Sequence, residues 1–525
     1  MRKFLRTSAL SCVILSLALS STATRAGETM AVPAETESTA VKDKASNFVH
    51  CDGKPNKESS LGIAARLVAI SLVVGLLIPM PEEPDATKRL KGQDGIKACD
   101  AALNGDEKAK DGGRRLELIL GRSIHRMEVA DWQGAIDDIH TLPTDQPQLT
   151  STRAYRQSLG HTAAYLEAIS LLAKGDQKGA IAMGYKIGDE SPYDPYALQL
   201  SALLVVLEDG YSPEKKQLLD QLVRVSPKQI WTRAMARASA GDFAGAADDY
   251  AAWSDMLGTM EGVHNYLFQD LAAIGYRLAG KPEQADALVN TAKQQADADI
   301  AAGKHTNLAD SHRELSDFYA IIVALDSGQA VRARNMFSAH SHWSSISYSY
   351  VAEVARRLQS VGTPEEQAMS PIQTPQDITG EFKRTMIAMI TTKGDKDDKY
   401  WSYFIPANSD PAFGKFSDNV WYTKNSRYID KKPINEVNGQ FINTSINGAG
   451  VPCAYALYMH LALVAKAQGK SGFMVLSGQK SYCSTYFRIG NADDKNMLAP
   501  FMMNADQVIG DLKTYFPNPR ESENN

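Results

Sequence analysis

The chain is predicted to be mainly α-helical, an array of helical hairpins followed by a small α+β domain. Two observations carry this. The stretch Trp231–Tyr250 reads as two helices broken at Gly241-Asp242, a glycine able to take the left-handed conformation that ends a helix. The same pattern recurs along the chain. Turn residues fall at Ala130, Gly175, Gly210, Gly241, Gly280 and Gly328, spaced 45, 35, 31, 39 and 48 residues apart.

Five residues after each turn stand Ala135, Ala180, Lys215, Ala246, Ala285 and Ala333. Seven before stand Ser123, Ala168, Leu203, Ala234, Ala273 and Ile321, four of the six small. Small residues at both offsets let two antiparallel helices approach closely, and Tyr250, nine after Gly241, is placed to fill the gap. Pro147, Pro192 and Pro227 stand seventeen residues after the first three turns, where each second helix should stop. The pattern resembles the tetratricopeptide repeat, a helix-turn-helix unit of about 34 residues. The resemblance covers roughly residues 115–345 and is degenerate: the early Trp and Leu-Gly are mostly missing, and Lys215 interrupts the alanine column. It implies an α-solenoid over 115–361 that acts by binding another protein or peptide.

Residues 1–26 have the order of a secretory signal peptide: Arg2, Lys3 and Arg6, an apolar run from Ser8 to Ser20, then small residues to Ala26. Export across the inner membrane to the periplasm is expected. Removing Arg2, Lys3, Arg6 and Arg25 takes the formal charge from −5 to −9, and no basic patch points to nucleic acid. Export also favours disulfides. Cys51, Cys99, Cys453 and Cys483 remain after cleavage; three pairings are open, and proximity favours Cys51–Cys99 and Cys453–Cys483.

Residues 27–60 read as a flexible lead-in, and 61–114 as an N-terminal helical segment tied by the first disulfide. Leu61–Met80 is ambiguous. Arg66 lies inside it and the uninterrupted apolar part, Leu67–Pro79, is 13 residues, which favours a buried helix over a membrane span. Pro364, Pro371 and Pro375 mark a linker over 362–379. The α+β domain spans 380–525, with strands expected at Tyr400–Ile405, Val420–Thr423, Gly439–Ser445, Phe473–Leu476 and Tyr486–Ile489. Helices are expected at Ala454–Gln468 and Ala505–Tyr515.

The first helix of each pair should line an inner groove suited to an apolar helix or peptide. Aromatic anchors dominate such contacts, which singles out Trp231 and Tyr165, with Met235 and Ile169 one turn further along. The alternative is that these side chains pack against the chain itself. No phosphate loop, nucleophile elbow or metal-binding helix motif occurs, so no cofactor or metal is expected. His340 and His342 beside Trp343 supply only two donors, and a solvated helix end is expected there. Cys453 and His460 share a helix face but stand about 10 Å apart, too far for a thiolate–imidazole pair. The leading expectation is therefore a binding scaffold; the alternative is a cell-envelope enzyme with its site in the C-terminal domain.

Overall fold

The structure is a computed structural model that describes residues 45–56, 83–258, 265–304, 306–340, 342–369, 371–392, 399–404, 413–422, 442–446, 451–476, 484–493, 496 and 498–518. Residues 1–26, where a signal peptide is expected, most of the expected lead-in, Leu61–Met80 and Cys483 lie outside the described residues. The chain divides into two compact units. Residues up to 183, with 391–410, form an N-terminal unit; residues 184–390 and 411–525 form a larger one.

In the N-terminal unit, α1 (Asn47–Asp52) lies within the expected lead-in. It is an ordered helix because Cys51 is bonded to Cys99 of α2 (Gly92–Asn104). The hairpin α3 (Gly112–Glu128) and α4 (Trp132–Asp145) follows. Two single-turn helices, Pro147–Thr150 and Arg153–Arg156, lead to α5 (Leu159–Ala173), and α6 (Gln177–Glu190) carries the boundary between the units.

The larger unit continues with hairpins α7 (Pro195–Val205) and α8 (Pro213–Val225), α9 (Ile230–Ser239) and α10 (Phe243–Gly258), and α11 (Tyr266–Leu278) and α12 (Pro282–Ala301). A fourth is α13 (Ala309–Asp326) and α14 (Ala330–Ala339), followed by α15 (Tyr348–Gln359). The helices stop before Pro147, Pro192 and Pro227 as the sequence indicates.

All six turn residues are left-handed: Ala130 at φ 60°, and Gly175, Gly210, Gly241, Gly280 and Gly328 between 74° and 87°. Around five of them the backbone bonds are the same. The residue after the turn donates to the carbonyl four before it, as Asp242 does to Arg237 at 3.0 Å, and the alanine at plus five donates to the residue after the turn, as Ala246 does to Asp242 at 3.0 Å. The first of these is the bond that satisfies otherwise orphaned helix-end carbonyls. Ala135, Ala180, Ala246, Ala285 and Ala333 are all fully buried. Asp131, Asp176 and Asp242 cap the second helix by accepting from the N–H of Gly134, Gly179 and Gly245. At the odd turn, Lys215 replaces alanine and folds back: its Nζ donates to the carbonyls of Glu208 (2.7 Å) and Gly210 (3.0 Å), and burial lowers its pKa to about 8.

Two hairpins share a further device that the alanine column does not reveal. Arg122 and Arg126 of α3 grip Asp138 of α4, and Arg233 and Arg237 of α9 grip Asp249 of α10. The offsets from the turn are the same in both, eight and four before and eight after. Arg122 and Arg233 engage bidentately, which adds direction as well as energy.

The expected linker over 362–379 holds α16 (Pro364–Met369) and the start of α17 (Pro375–Thr391). Two expected strands are helical. Tyr400–Tyr403 is a 3₁₀ turn, and Val420 lies in α18 (Ser417–Tyr422). Short apolar runs of this kind have no periodicity that separates the two states. The remaining strands form a four-stranded antiparallel sheet, β1 (Ile442–Ser445), β2 (Gly472–Leu476), β3 (Ser484–Gly490) and β4 (Met503–Asn504), ordered β1-β3-β2-β4. Between β1 and β2 runs α19 (Val451–Ala467), buried around nearly its whole circumference and ended at left-handed Gly469. The closing helix is α20 (Ala505–Leu512). The sheet shares a core with the hairpins: Met474, Phe501 and Met502 pack with Val223, Ile230, Trp253 and Met256.

Two stability changes follow from the hairpin geometry. Ala130 is the single non-glycine residue with positive φ among the described residues, a conformation that costs a Cβ-bearing residue roughly 1 kcal/mol. Ala130→Gly should therefore raise stability by up to about 1 kcal/mol in denaturant titration. Ala246→Leu should lower it by roughly 1–3 kcal/mol through overpacking, whereas Ala244→Leu, at a half-buried position two residues away, should be nearly neutral. Equal effects at 246 and 244 would contradict the packing described.

Candidate functional site

The four residues expected to line a partner groove belong to the core or its edge. Tyr165 and Ile169 on α5 are fully buried, Met235 on α9 is 8% exposed, and Trp231 is half-buried against the core of the hairpins. The reason is that later parts of the chain cover these helices. In the larger unit Ser349 of α15 donates its Oγ–H to the Met235 carbonyl (3.2 Å). The Tyr350 ring enters between Phe243 and Tyr250, with its hydroxyl against Gly275. In the N-terminal unit the Tyr403 ring stands edge-on to Tyr165 with centroids 4.6 Å apart.

That N-terminal surface brings polar and aromatic groups together. The disulfide fixes α1, and α1 presents Asp52 to Arg114, a guanidinium 1% exposed. Arg114 Nη1 and Nη2 donate to the two Asp52 oxygens at 2.5 and 2.8 Å, and Nη2 also donates to the Lys54 carbonyl. Glu117 sits beside them and pairs with Lys54 Nζ at 3.3 Å. Two turns further along α3 the buried His125 ring has Nε2 2.7 Å from the Cys51 carbonyl and Nδ1 2.9 Å from Glu128 Oε2. Glu128 Oε2 also accepts from the Gly92 N–H at 2.7 Å, which ties α3 to the start of α2.

Over this platform lies Trp401, edge-on to His125 at 5.4 Å, with the Arg89 guanidinium 4.3 Å from its ring centre. Beside it opens a small pocket lined by Ala86, Thr87, Arg89, Leu90, Lys91, Glu128 and Trp401. Leu90 and Val129 near this pocket are exposed apolar side chains. The spacing of Arg114, Glu117 and His125 along one predicted helix is visible in the sequence. Their partnership with Asp52 and Cys51 is not, because it spans more than 60 residues.

Cys453 is disulfide-bonded, so it is not a thiolate, and Cys483, the partner expected from the sequence, lies outside the described residues. His460 is buried, donates from Nδ1 to the Val420 carbonyl (3.0 Å), and burial lowers its pKa. His312 Nδ1 lies 2.7 Å from Asp270 Oδ2, joining α13 to α11, with the Tyr266 ring edge-on to the imidazole. His340 stacks on Trp343 with ring centroids 4.1 Å apart. Among the described residues no group of three or more His, Cys, Asp or Glu is placed to hold a metal ion, and no helix is long and apolar enough to cross a membrane.

No family model, curated protein or solved structure matches the chain.

One buried acid gives a measurable pH response. Asp194 is 1% exposed and caps α7 by accepting from the N–H groups of Tyr196 (2.9 Å) and Ala197 (3.3 Å), beneath Tyr455 and Tyr458. Burial raises its pKa to about 6. Between pH 4 and 6 the folded chain then holds a proton the unfolded chain has lost, so stability falls as pH rises through that window. Asp194→Asn keeps the capping oxygen and removes the titration. Denaturant titrations should show the variant gaining on wild type by up to roughly 2–3 kcal/mol at pH 7 and not at pH 4. An unchanged difference between the two pH values would refute the assignment.

Proposed function

We propose that the chain is an exported scaffold of tetratricopeptide-like hairpins that binds another polypeptide in the periplasm. The observation that supports this most is the shared register of the hairpins: left-handed turn residues each followed at plus five, in five of six cases, by a fully buried alanine. Repetition of one supersecondary unit generates extended surfaces, and such surfaces serve recognition more often than chemistry. The disulfide between Cys51 and Cys99 fits an oxidising compartment. Cys453 is disulfide-bonded, which also fits an oxidising compartment.

The test is site-specific photo-crosslinking in the organism of origin, with a photoreactive residue at Leu90, Val129, Ile300 or Val331, four exposed apolar positions. A discrete adduct of one mass in the envelope fraction, at one or two of the four sites, is the expected outcome. An intact, folded chain that gives no adduct at any of them, or that stays in the cytoplasm, would refute the reading.

A further inference from the structure

Residues Tyr400–Phe404 are separated from α3 and α5 by more than 220 positions, yet they lie across the helices on which partner anchors were expected. The mode of attachment is that of a bound peptide. Tyr400 is buried and anchors the segment, its hydroxyl donating to the Thr391 carbonyl at 2.6 Å; Trp401, Tyr403 and Phe404 are half-buried and Ser402 is exposed, so past Tyr400 the segment rests on the surface. Thr162 Oγ1 of α5 donates to the Tyr403 carbonyl across a long 3.4 Å.

The rest is ring chemistry: Trp401 on His125, Tyr403 on Tyr165, and two cations over rings, Arg89 above Trp401 and Lys54 4.8 Å from the centre of Phe404. Gly121 makes the approach possible. A Cβ there would stand 3.3 Å from Cη2 of Trp401 and 3.5 Å from Cys51 Sγ. Beside Trp401 the Arg89–Lys91–Glu128 pocket continues the surface past the end of the segment.

We propose that Tyr400–Phe404 is an internal ligand, and that the face it covers is a docking site for an aromatic-rich peptide of a partner protein. This rests on the scaffold reading and gives it a location. The receptor supplies edge-on aromatic contacts and two cations, so the peptide it takes carries aromatic side chains on both sides of a small residue and no positive charge among them. Contacts between aromatic faces and partly exposed cations each contribute little and release readily. A tethered segment nevertheless competes strongly, because its effective concentration is of the order of millimolar.

The experiment uses the full chain and a labelled peptide with the sequence of residues 399–404, read by fluorescence anisotropy. In Trp401→Ala/Tyr403→Ala the internal ligand is lost, and the peptide should bind at least about tenfold more tightly than it binds wild type. Trp401→Leu, which keeps apolar volume but removes the faces used by Arg89 and His125, should give a smaller gain. Equal or absent binding across folded wild type and variants overturns the proposal. So does loss of the helical circular dichroism signal in both variants, since the segment would then be ordinary core. A wild-type dimer that exchanges this segment between copies assigns the face to a second copy and overturns the choice of a foreign peptide. Failure of the crosslinking test together with success here would leave a self-covering face and remove the scaffold function.

Discussion

Each hairpin depends on one residue held in the left-handed region. At five of the six turns that residue lets the next N–H reach the helix-end carbonyl four positions before the turn. Left-handed backbone is open to glycine and strained for others, which is why five of the six positions are glycine and the sixth, Ala130, carries strain. Once the turn is set, the position five residues on faces the preceding helix at close range. A fully buried alanine there fixes the interaxial approach. In the first hairpin the two columns touch: Ser123 Oγ, seven before the turn, donates to the Ala135 carbonyl, five after it. The Arg–Arg–Asp grips at Asp138 and Asp249 depend on the same register, because a one-residue slip would rotate the aspartate about 100° away from its arginines.

The hairpins do not stand alone in either unit. In the N-terminal unit the disulfide holds α1 where Asp52 meets Arg114 and where the Cys51 carbonyl meets His125. Desolvating a guanidinium this fully is unfavourable unless its donors are paired, and removal of one partner from such a pair costs several kcal/mol. The cross-link and the ion pair therefore reinforce one another. In the larger unit α15, α19 and the sheet cover the first helices of the hairpins. There Tyr458 donates to the Val225 carbonyl (3.4 Å) and Tyr193 to Asp511 (2.6 Å).

Buried polar groups in the described residues serve this assembly. Lys215 closes a turn that lacks alanine, Asp194 caps α7, and the Asp270–His312 pair bridges successive hairpins. Burial raises the pKa of Asp270, and its bond to His312 works against that shift. Such groups resemble catalytic ones in composition. They differ in what they face: backbone ends and each other, in place of an open cleft.

The sequence by itself determined what local physics controls. Turn positions were legible because glycine recurs where only glycine is unstrained, and helix ends were legible at Pro147, Pro192 and Pro227 because proline cannot continue a helix. The apolar runs of β2 and α19 marked those C-terminal elements within a few residues. Tertiary structure alone decided which faces are covered. Tyr165, Ile169 and Met235 have the composition of an exposed groove and of a core alike, and only the arrival of Tyr403 and Ser349, from over 100 residues away, distinguishes the two. The same holds for Tyr400–Tyr403 and Val420. Their apolar runs fit strand or helix, and the surface they landed on, not their own propensity, chose a 3₁₀ turn and a helix.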